Sequence, residues 1–347
     1  MRAVAAHPYE HLTPLRVLDA LQSVGLRGDG RLLQLNSYEN RVIQVMLEDG
    51  LAVVAKFYRP ARWSDAQILE EHRFALQLAG DELPVIAPSP LERGADAPLP
   101  DMRCLGEPAT LASWSEEEAT FRLAVYARRS GHGPELDDPA VLAWLGRFVG
   151  RLHRVGARQP FLTRRRFDAQ TFGHAPLQRL LDAGSVPDAQ RGAFEQSARA
   201  ALGLVDAAFA TVGAVTELRL HGDFHPGNIL WRDEGPHIVD LDDCASGPAV
   251  QDLWMLLSGS AEAMRAQLSH VLDGYAAFMR FDPRELALIE PLRTLRMLHH
   301  SAWLAERWSD PAFPAAFPWF GSAAYWQQQT DALREQIESM QSAPLAP

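Results

Sequence analysis

Residues 220–243 read LHGDFHPGNILWRDEGPHIVDLDD, the densest run of chemically capable side chains in the chain. Ile229-Leu230-Trp231 and Ile238-Val239 flank Asp233-Glu234-Gly235-Pro236, so residues 228–241 read as a β-hairpin. With the turn centred on Glu234, Asn228 lies six residues before it and Asp240 six after it, so the two face each other with room for one cation. An amide oxygen and a carboxylate are hard ligands, too few for a full cage. They suit Mg²⁺, which keeps waters and shares the phosphate oxygens of a nucleotide. Asp223, on the loop before the first strand, is then near the metal and free to accept a proton from a hydroxyl. Such a layout suits phosphoryl transfer.

Working outward, residues 41–58, RVIQVMLEDGLAVVAKFY, carry β-branched runs on both sides of Asp49-Gly50, a second hairpin signal that puts Lys56 on a strand. Ser64-Asp65 then reads as a helix start, with Ile68, Leu69, Phe74, Leu76 and Leu78 among Glu70, Glu71 and Arg73. Residues 81–108 are rich in Pro, Gly and Asp and read as loops with short edge strands, and 121–127, FRLAVYA, read as another strand. The polar stretch 128–139 is expected to be a hinge. From Ala140 helical periodicity dominates: Leu142, Leu145, Phe148, Val149 and Leu152 share a face, and residues 193–209 and 287–308 repeat the pattern, with Pro291 starting or kinking the last. The expected layout is α+β, with a β-rich N-terminal lobe over 1–127 and a mainly helical C-terminal lobe over 128–347.

Length and composition agree with two lobes. The chain has 347 residues, 47% hydrophobic and 22% charged, enough to bury a core without disulfides. Two cysteines, Cys104 and Cys244, are too few for a secreted disulfide framework or a Cys-rich zinc site and fit a reducing compartment. The opening MRAVAAHPYEHLTPL lacks the pattern of a signal peptide, and no apolar run is long enough for a membrane span, so a cytoplasmic protein without membrane attachment is expected. A net charge of −11 disfavours nucleic acid as a partner and means that an anionic ligand needs a local site. All but one of the 33 basic residues are arginine, and the exception is Lys56. That position calls for a compact ammonium on a flexible stem rather than a planar fork.

His221-Gly222-Asp223, with Asn228 five residues after the aspartate and then Asp240, resembles the catalytic loop and metal-binding aspartate of the protein-kinase-like fold, in its aminoglycoside phosphotransferase and choline kinase branch. The kinase template is H-R-D-x-x-x-x-N followed by D-F-G; here Gly222 replaces the arginine and Leu241 the phenylalanine. The likeness extends from about Leu35 to Trp326 through LNSYENRV, VAKFYRP, ILEEHRFALQL, LRLHGDFHPGNILWRD, VDLDD, GPAVQDLWMLL, DPAFP and FPW, and is greatest to Ser/Thr protein kinases of that branch. It implies a bilobal protein-kinase-like fold, with an antiparallel β-sheet N-lobe that binds nucleotide and a helical C-lobe with the catalytic loop. It also implies ATP and Mg²⁺ as cofactors, Asp223 as base, Asn228 and Asp240 as metal ligands, and Lys56 on the α- and β-phosphates. Glu71 becomes the ion-pair partner of Lys56, with Glu70 as the alternative. Ser37 falls where kinases carry a Gly-rich phosphate loop, although Asn36-Ser37-Tyr38-Glu39-Asn40 has no glycine, so its hydroxyl or amide takes the contact. Asp252 resembles the structural aspartate that holds the catalytic loop.

Other polar residues read more plainly. His221 and His225 with Asp223 make a poor zinc site, so His221 is expected to buttress the loop. Asp242 and Asp243 read as loop carboxylates, Asp242 being the one able to assist a second metal. His153 reads as a satisfied core histidine, and Trp303, Trp308, Phe313, Phe317, Trp319 and Trp326 as a packed C-terminal core, with a wall for the acceptor as the other reading. The resemblance implies a cytoplasmic ATP-dependent kinase of protein Ser/Thr, connected with envelope or oxidative stress, and a monomer is expected. The alternatives are a small-molecule kinase of the aminoglycoside, choline or homoserine type, and a nucleotide-binding pseudokinase.

Overall fold

The computed structural model describes residues 9–116 and 119–346. Most of the opening stretch read for a leader, residues 1–8, lies outside them, as does Pro347. The chain divides into two compact units. One runs to His132 and takes in Ile229–Asp242; the other comprises Gly133–Asn228 and Asp243–Pro347. The hairpin expected within the helical lobe thus groups with the first unit, and the first crossing follows His132 rather than Ala127.

In the first unit α1 (Pro14–Ser23) starts at Thr13, whose hydroxyl accepts from the Arg16 amide. It is followed by β1 (Gly28–Gln34), β2 (Arg41–Leu47), β3 (Ala52–Phe57), α2 (Asp65–Gly80), β4 (Arg103–Gly106), β5 (Ala109–Glu116) and β6 (Ala119–Ala127). Among the described residues these strands form one antiparallel sheet in the order β1-β2-β3-β6-β5-β4. The Asp49-Gly50 turn closes β2 on β3 as expected, with Leu51 N donating to Asp49 Oδ1 at 2.9 Å. Alternation along β3 sends Ala55 and Phe57 into a core with Val17, Leu21, Val45, Trp114, Leu123 and Val125. Lys56 points to the opposite face, flanked in the ladder by Val42 and Ala124. On α2, Ser64 and Gln67 form a reciprocal capping box, and Ile68 packs with Tyr58, Trp63, Leu111 and Ala124.

The second unit opens with α3 (Pro139–Gly156), capped by Asp138, then α4 (Ala175–Asp182), α5 (Asp188–Val212) and β7 (Leu218–Leu220). The chain passes through the first unit as β8 (Ile229–Leu230) and β9 (His237–Ile238). It returns as β10 (Ala245–Gly247), α6 (Gln251–Trp254), α7 (Ala261–Tyr275), α8 (Ile289–Glu306), α9 (Ala312–Ala316) and α10 (Ala323–Gln341). Pro291 sits in the first turn of α8, where a missing N–H costs nothing. Leu202, Val205, Leu292, Leu295 and Leu298 share a core with Phe194, Phe313 and Trp326. The aromatic group is therefore mainly core, although Trp319 is exposed. Helices α3 and α7 approach through glycines: a Cβ on Gly146 would lie 2.0 Å from Val271 O, and one on Gly274 2.0 Å from Ala143 O. No described helix is long and apolar enough to cross a membrane.

Two hydrogen-bonded connections explain why the β8–β9 hairpin belongs to the first unit. Ile238 bridges Val85, with its amide on Pro84 O at 2.8 Å and its carbonyl accepting from Ile86 N at 2.9 Å. Trp231 and His132 exchange both backbone bonds, at 2.7 and 3.1 Å. The ladder pairs Ile229 with Ile238 and Leu230 with His237, so the turn centres between Asp233 and Glu234. That is half a residue before the expected centre, and the ladder ends before reaching either Asn228 or Asp240.

Candidate active site

In the helical unit the loop after β7 is fixed from below by one carboxylate. Asp252, wholly buried on α6, accepts from the His221 amide at 2.8 Å through Oδ2 and from the Gly222 amide at 2.8 Å through Oδ1. The same Oδ2 lies 3.1 Å from His153 Nε2, whose other ring nitrogen lies 3.0 Å from the Tyr275 hydroxyl. A buried charge is tolerable only with such a full set of partners. Gln251 adds a bond to Gly222 O at 2.9 Å. Gly222 itself has φ 87°, and a Cβ there would sit 2.2 Å from Asp243 O. The kinase-type arginine is excluded at this position by sterics and by backbone conformation.

This anchoring presents Asp223. Its Oδ1 accepts from Arg296 Nη1 on α8, and its Oδ2 lies 3.4 Å from His225 Nε2. The Gly227 amide donates to His225 Nδ1 at 3.0 Å, which leaves Nε2 as the proton-bearing nitrogen toward Asp223. Burial would raise the Asp223 carboxyl, but His225 and Arg296 more than offset it and hold it well below the usual carboxylate range. Asn228, in the 3₁₀ turn Pro226–Asn228, donates through Nδ2 to Asp223 O at 2.9 Å, which leaves its Oδ1 as an acceptor. His221 is buried and buttresses the loop as expected, with its Nδ1 3.4 Å from the Asp223 amide.

The sheet unit carries the other group. Lys56 is 6% exposed, with Nζ 3.1 Å from Asp240 Oδ1 and 3.2 Å from Asp242 Oδ1. Burial alone would push the ammonium down, but Asp240, Asp242 and Glu71 together hold it well above its ordinary value. Asp240 has φ 62°, a left-handed conformation that aspartate accepts more readily than most residues, and its side chain is about half exposed. Glu71 is buried on α2, 3.4 Å from the Tyr58 hydroxyl, which lies 2.9 Å from His72 Nε2 and 3.1 Å from the Tyr126 hydroxyl. The Glu71 charge adds to those of Asp240 and Asp242 in raising Lys56.

Asp242 differs most from expectation. It is a buried hub rather than an open loop carboxylate: besides Lys56, its Oδ2 accepts from Arg62 Nη1 and from Asn40 Nδ2, the latter at 3.1 Å. Asn40 Oδ1 in turn accepts from the Arg59 amide at 3.1 Å, and Glu39 faces Arg59 and Arg62 at 3.8 and 3.7 Å. The end of the loop that carries Ser37 is thereby tied to the residue two after Asp240; Ser37 itself is half-buried. Asn40, Arg62 and Arg296 escaped the sequence reading. Asn40 and Asp242 both lie within quoted stretches, but their pairing spans 202 residues, and no spacing rule reports it.

The donor set suits a metal nucleotide. Within the first unit the half-exposed Asp240 carboxylate and the buried Lys56 ammonium match hard cations and phosphate oxygens, and within the second Asn228 offers an amide oxygen. The sequence profile described as the phosphotransferase enzyme family matches residues 31–289. The chain is 42% identical over 341 residues to stress response kinase A of Escherichia coli K12, covering 98% of this chain and 97% of that one. The identity is also 42%, over 340 residues with the same coverage, to the serine/threonine protein kinase RdoA of Salmonella typhimurium LT2. Among solved structures, the amicoumacin kinase hAmiN in complex with AMP-PNP, Ca²⁺ and Ami shares the fold, with a TM-score of 0.69 and 20% identity over 96% of this chain and 95% of that one. The anchored loop, the lysine on β3 and this match over most of the chain place the protein in the phosphotransferase enzyme family.

Proposed function

We propose that the chain is an ATP-dependent Ser/Thr protein kinase of a stress response, moving the γ-phosphoryl group to protein hydroxyls. The observation that carries the chemistry is the ionised Asp223 on a loop bonded twice to the buried Asp252. The acceptor class is supported by the names of relatives aligned over nearly the whole chain.

Asn228 and Asp240 would hold Mg²⁺, Lys56 the α- and β-phosphates, and Ser37 would contact phosphate from the loop between β1 and β2. Bound there, the metal nucleotide supplies the transferable group and the charge neutralisation that lowers the barrier. Asp223 orients the Ser or Thr hydroxyl and takes its proton on Oδ2, and the freed oxygen becomes the new ester oxygen as ADP departs. Glu71 and Asp242 keep Lys56 protonated and in place. Positioning and electrostatics carry the rate, and no covalent enzyme intermediate is needed.

Incubation with γ-labelled ATP and Mg²⁺ tests this, comparing wild type with Asp223→Asn on protein substrates, aminoglycosides and amino alcohols. Label on protein Ser/Thr that vanishes in the variant is expected. Label confined to small molecules overturns the protein acceptor. A Mg²⁺-dependent thermal shift with ATP but no transfer to anything overturns the enzyme reading in favour of a pseudokinase.

A further inference from the structure

The guanidinium on Asp223 bears on which acceptors the loop can serve. An acceptor hydroxyl must reach the carboxylate, and Oδ1 is already taken by Arg296. His225 Nε2 lies 3.4 Å from Oδ2, a longer contact than the one Arg296 makes to Oδ1, so Oδ2 is the less tightly held oxygen for an incoming hydroxyl. Arg296 is 48% exposed at its side chain and has N–H donors beyond the one it gives to Asp223. In a chain of net charge −11, the cation set beside this carboxylate is the Arg296 guanidinium.

The rest of the same helix face continues the theme. His299, His300 and Trp303 follow Arg296 at the i+3, i+4 and i+7 positions of α8 and share its side of the helix. His300 stacks on Trp303 with centroids 5.6 Å apart, and His299 packs on Phe172 at 4.9 Å. Arg296 is the charged member of this stripe, and Trp303 also packs on Phe313 and Phe317. An ammonium-bearing acceptor would meet repulsion from Arg296 at the point of transfer, whereas a carboxylate next to the hydroxyl would meet a fork able to bind it.

We infer that Arg296 is a specificity-determining residue that selects Ser or Thr hydroxyls set among acidic side chains and rejects acceptors carrying positive charge. This rests on the protein-kinase reading above and names its substrate class.

The test is initial-rate phosphorylation of two Ser peptide series by the full chain with ATP and Mg²⁺, one flanked by Glu and one by Lys, in wild type, Arg296→Lys and Arg296→Glu. Thermal unfolding and the ATP-Mg²⁺ thermal shift establish that each variant is folded and loaded. Wild type is expected to favour the Glu series in kcat/KM by about tenfold or more, Arg296→Lys to keep the preference, and Arg296→Glu to reverse it. A wild-type preference for the Lys series, or a ratio unmoved by Arg296→Glu, overturns the role of Arg296 while protein phosphorylation stands. Transfer to neither series, with small hydroxylated molecules still labelled, overturns the underlying reading and this inference with it.

Discussion

Lys56, the only lysine, sits where arginine would have to fit a five-donor fork into a space closed by Asp240 and Asp242, at 3.1 and 3.2 Å from the present ammonium. Arginine abounds in the rest of the chain, so its absence at this strand position reflects geometry. Removing a partner of such a buried set strands the others. Asp242→Ala leaves Lys56, Arg62 and Asn40 without their shared acceptor, and a loss of about 3–5 kcal/mol is expected in chemical unfolding, together with weaker ATP binding by calorimetry. Asp223→Asn is a different case. Asparagine is nearly isosteric and its side-chain oxygen can still accept from Arg296, so the variant is expected to fold, keep its ATP affinity and lose kcat by about a thousandfold or more in steady-state kinetics.

At the scale of elements, α6 is only four residues long, yet it carries Asp252 and Gln251, so its placement decides where the loop stands. Glu285 fixes the start of α6 from a neighbouring turn by accepting from the Val250 amide at 2.9 Å. Burial pushes the Glu285 carboxyl up from 4.5 to about 7, because the amides of Val250 and Ala249 only partly compensate. The folded form therefore holds the proton more tightly than the unfolded one. Its contribution to stability is full below about pH 4.5 and is lost as pH rises through 7. Glu285→Gln removes that slope. The difference in unfolding free energy between variant and wild type is expected to grow in favour of the variant by roughly 3 kcal/mol across this window, measured by denaturant titration at several pH values. The α3–α7 crossing makes a second element-scale prediction. Gly274→Ala must drive the helices apart to clear Ala143 O, at an expected cost of roughly 3 kcal/mol and a lower Tm, with the kcat of remaining folded protein little changed.

For the whole molecule, hairpin turns, the Ser64 cap, the helical faces and the order from sheet to helices were readable because each is a short-range pattern. The anchoring of the loop by Asp252 was readable too, through the resemblance. The β8–β9 register fell half a residue away from the expected one, since backbone bonds from Ile238 to residues 84–86 and from Trp231 to His132 fix the hairpin, and neither leaves a periodic mark. The Asn40–Asp242–Arg62 hub and the Arg296 contact stayed hidden for a related reason: each joins residues 73 to 202 positions apart.

Because β8 and β9 complete the first unit, a chain ending at His132 lacks both carboxylates that neutralise Lys56 and is expected to show no cooperative unfolding transition by calorimetry. On the ribosome the same fact becomes a matter of timing. Residues 133–228 must be synthesised before the hairpin emerges, a delay on the order of 10 s. Throughout that interval the nascent sheet holds its lysine without Asp240 or Asp242, and the arrival of a 14-residue segment from late in the message, Ile229–Asp242, closes a unit begun near its start.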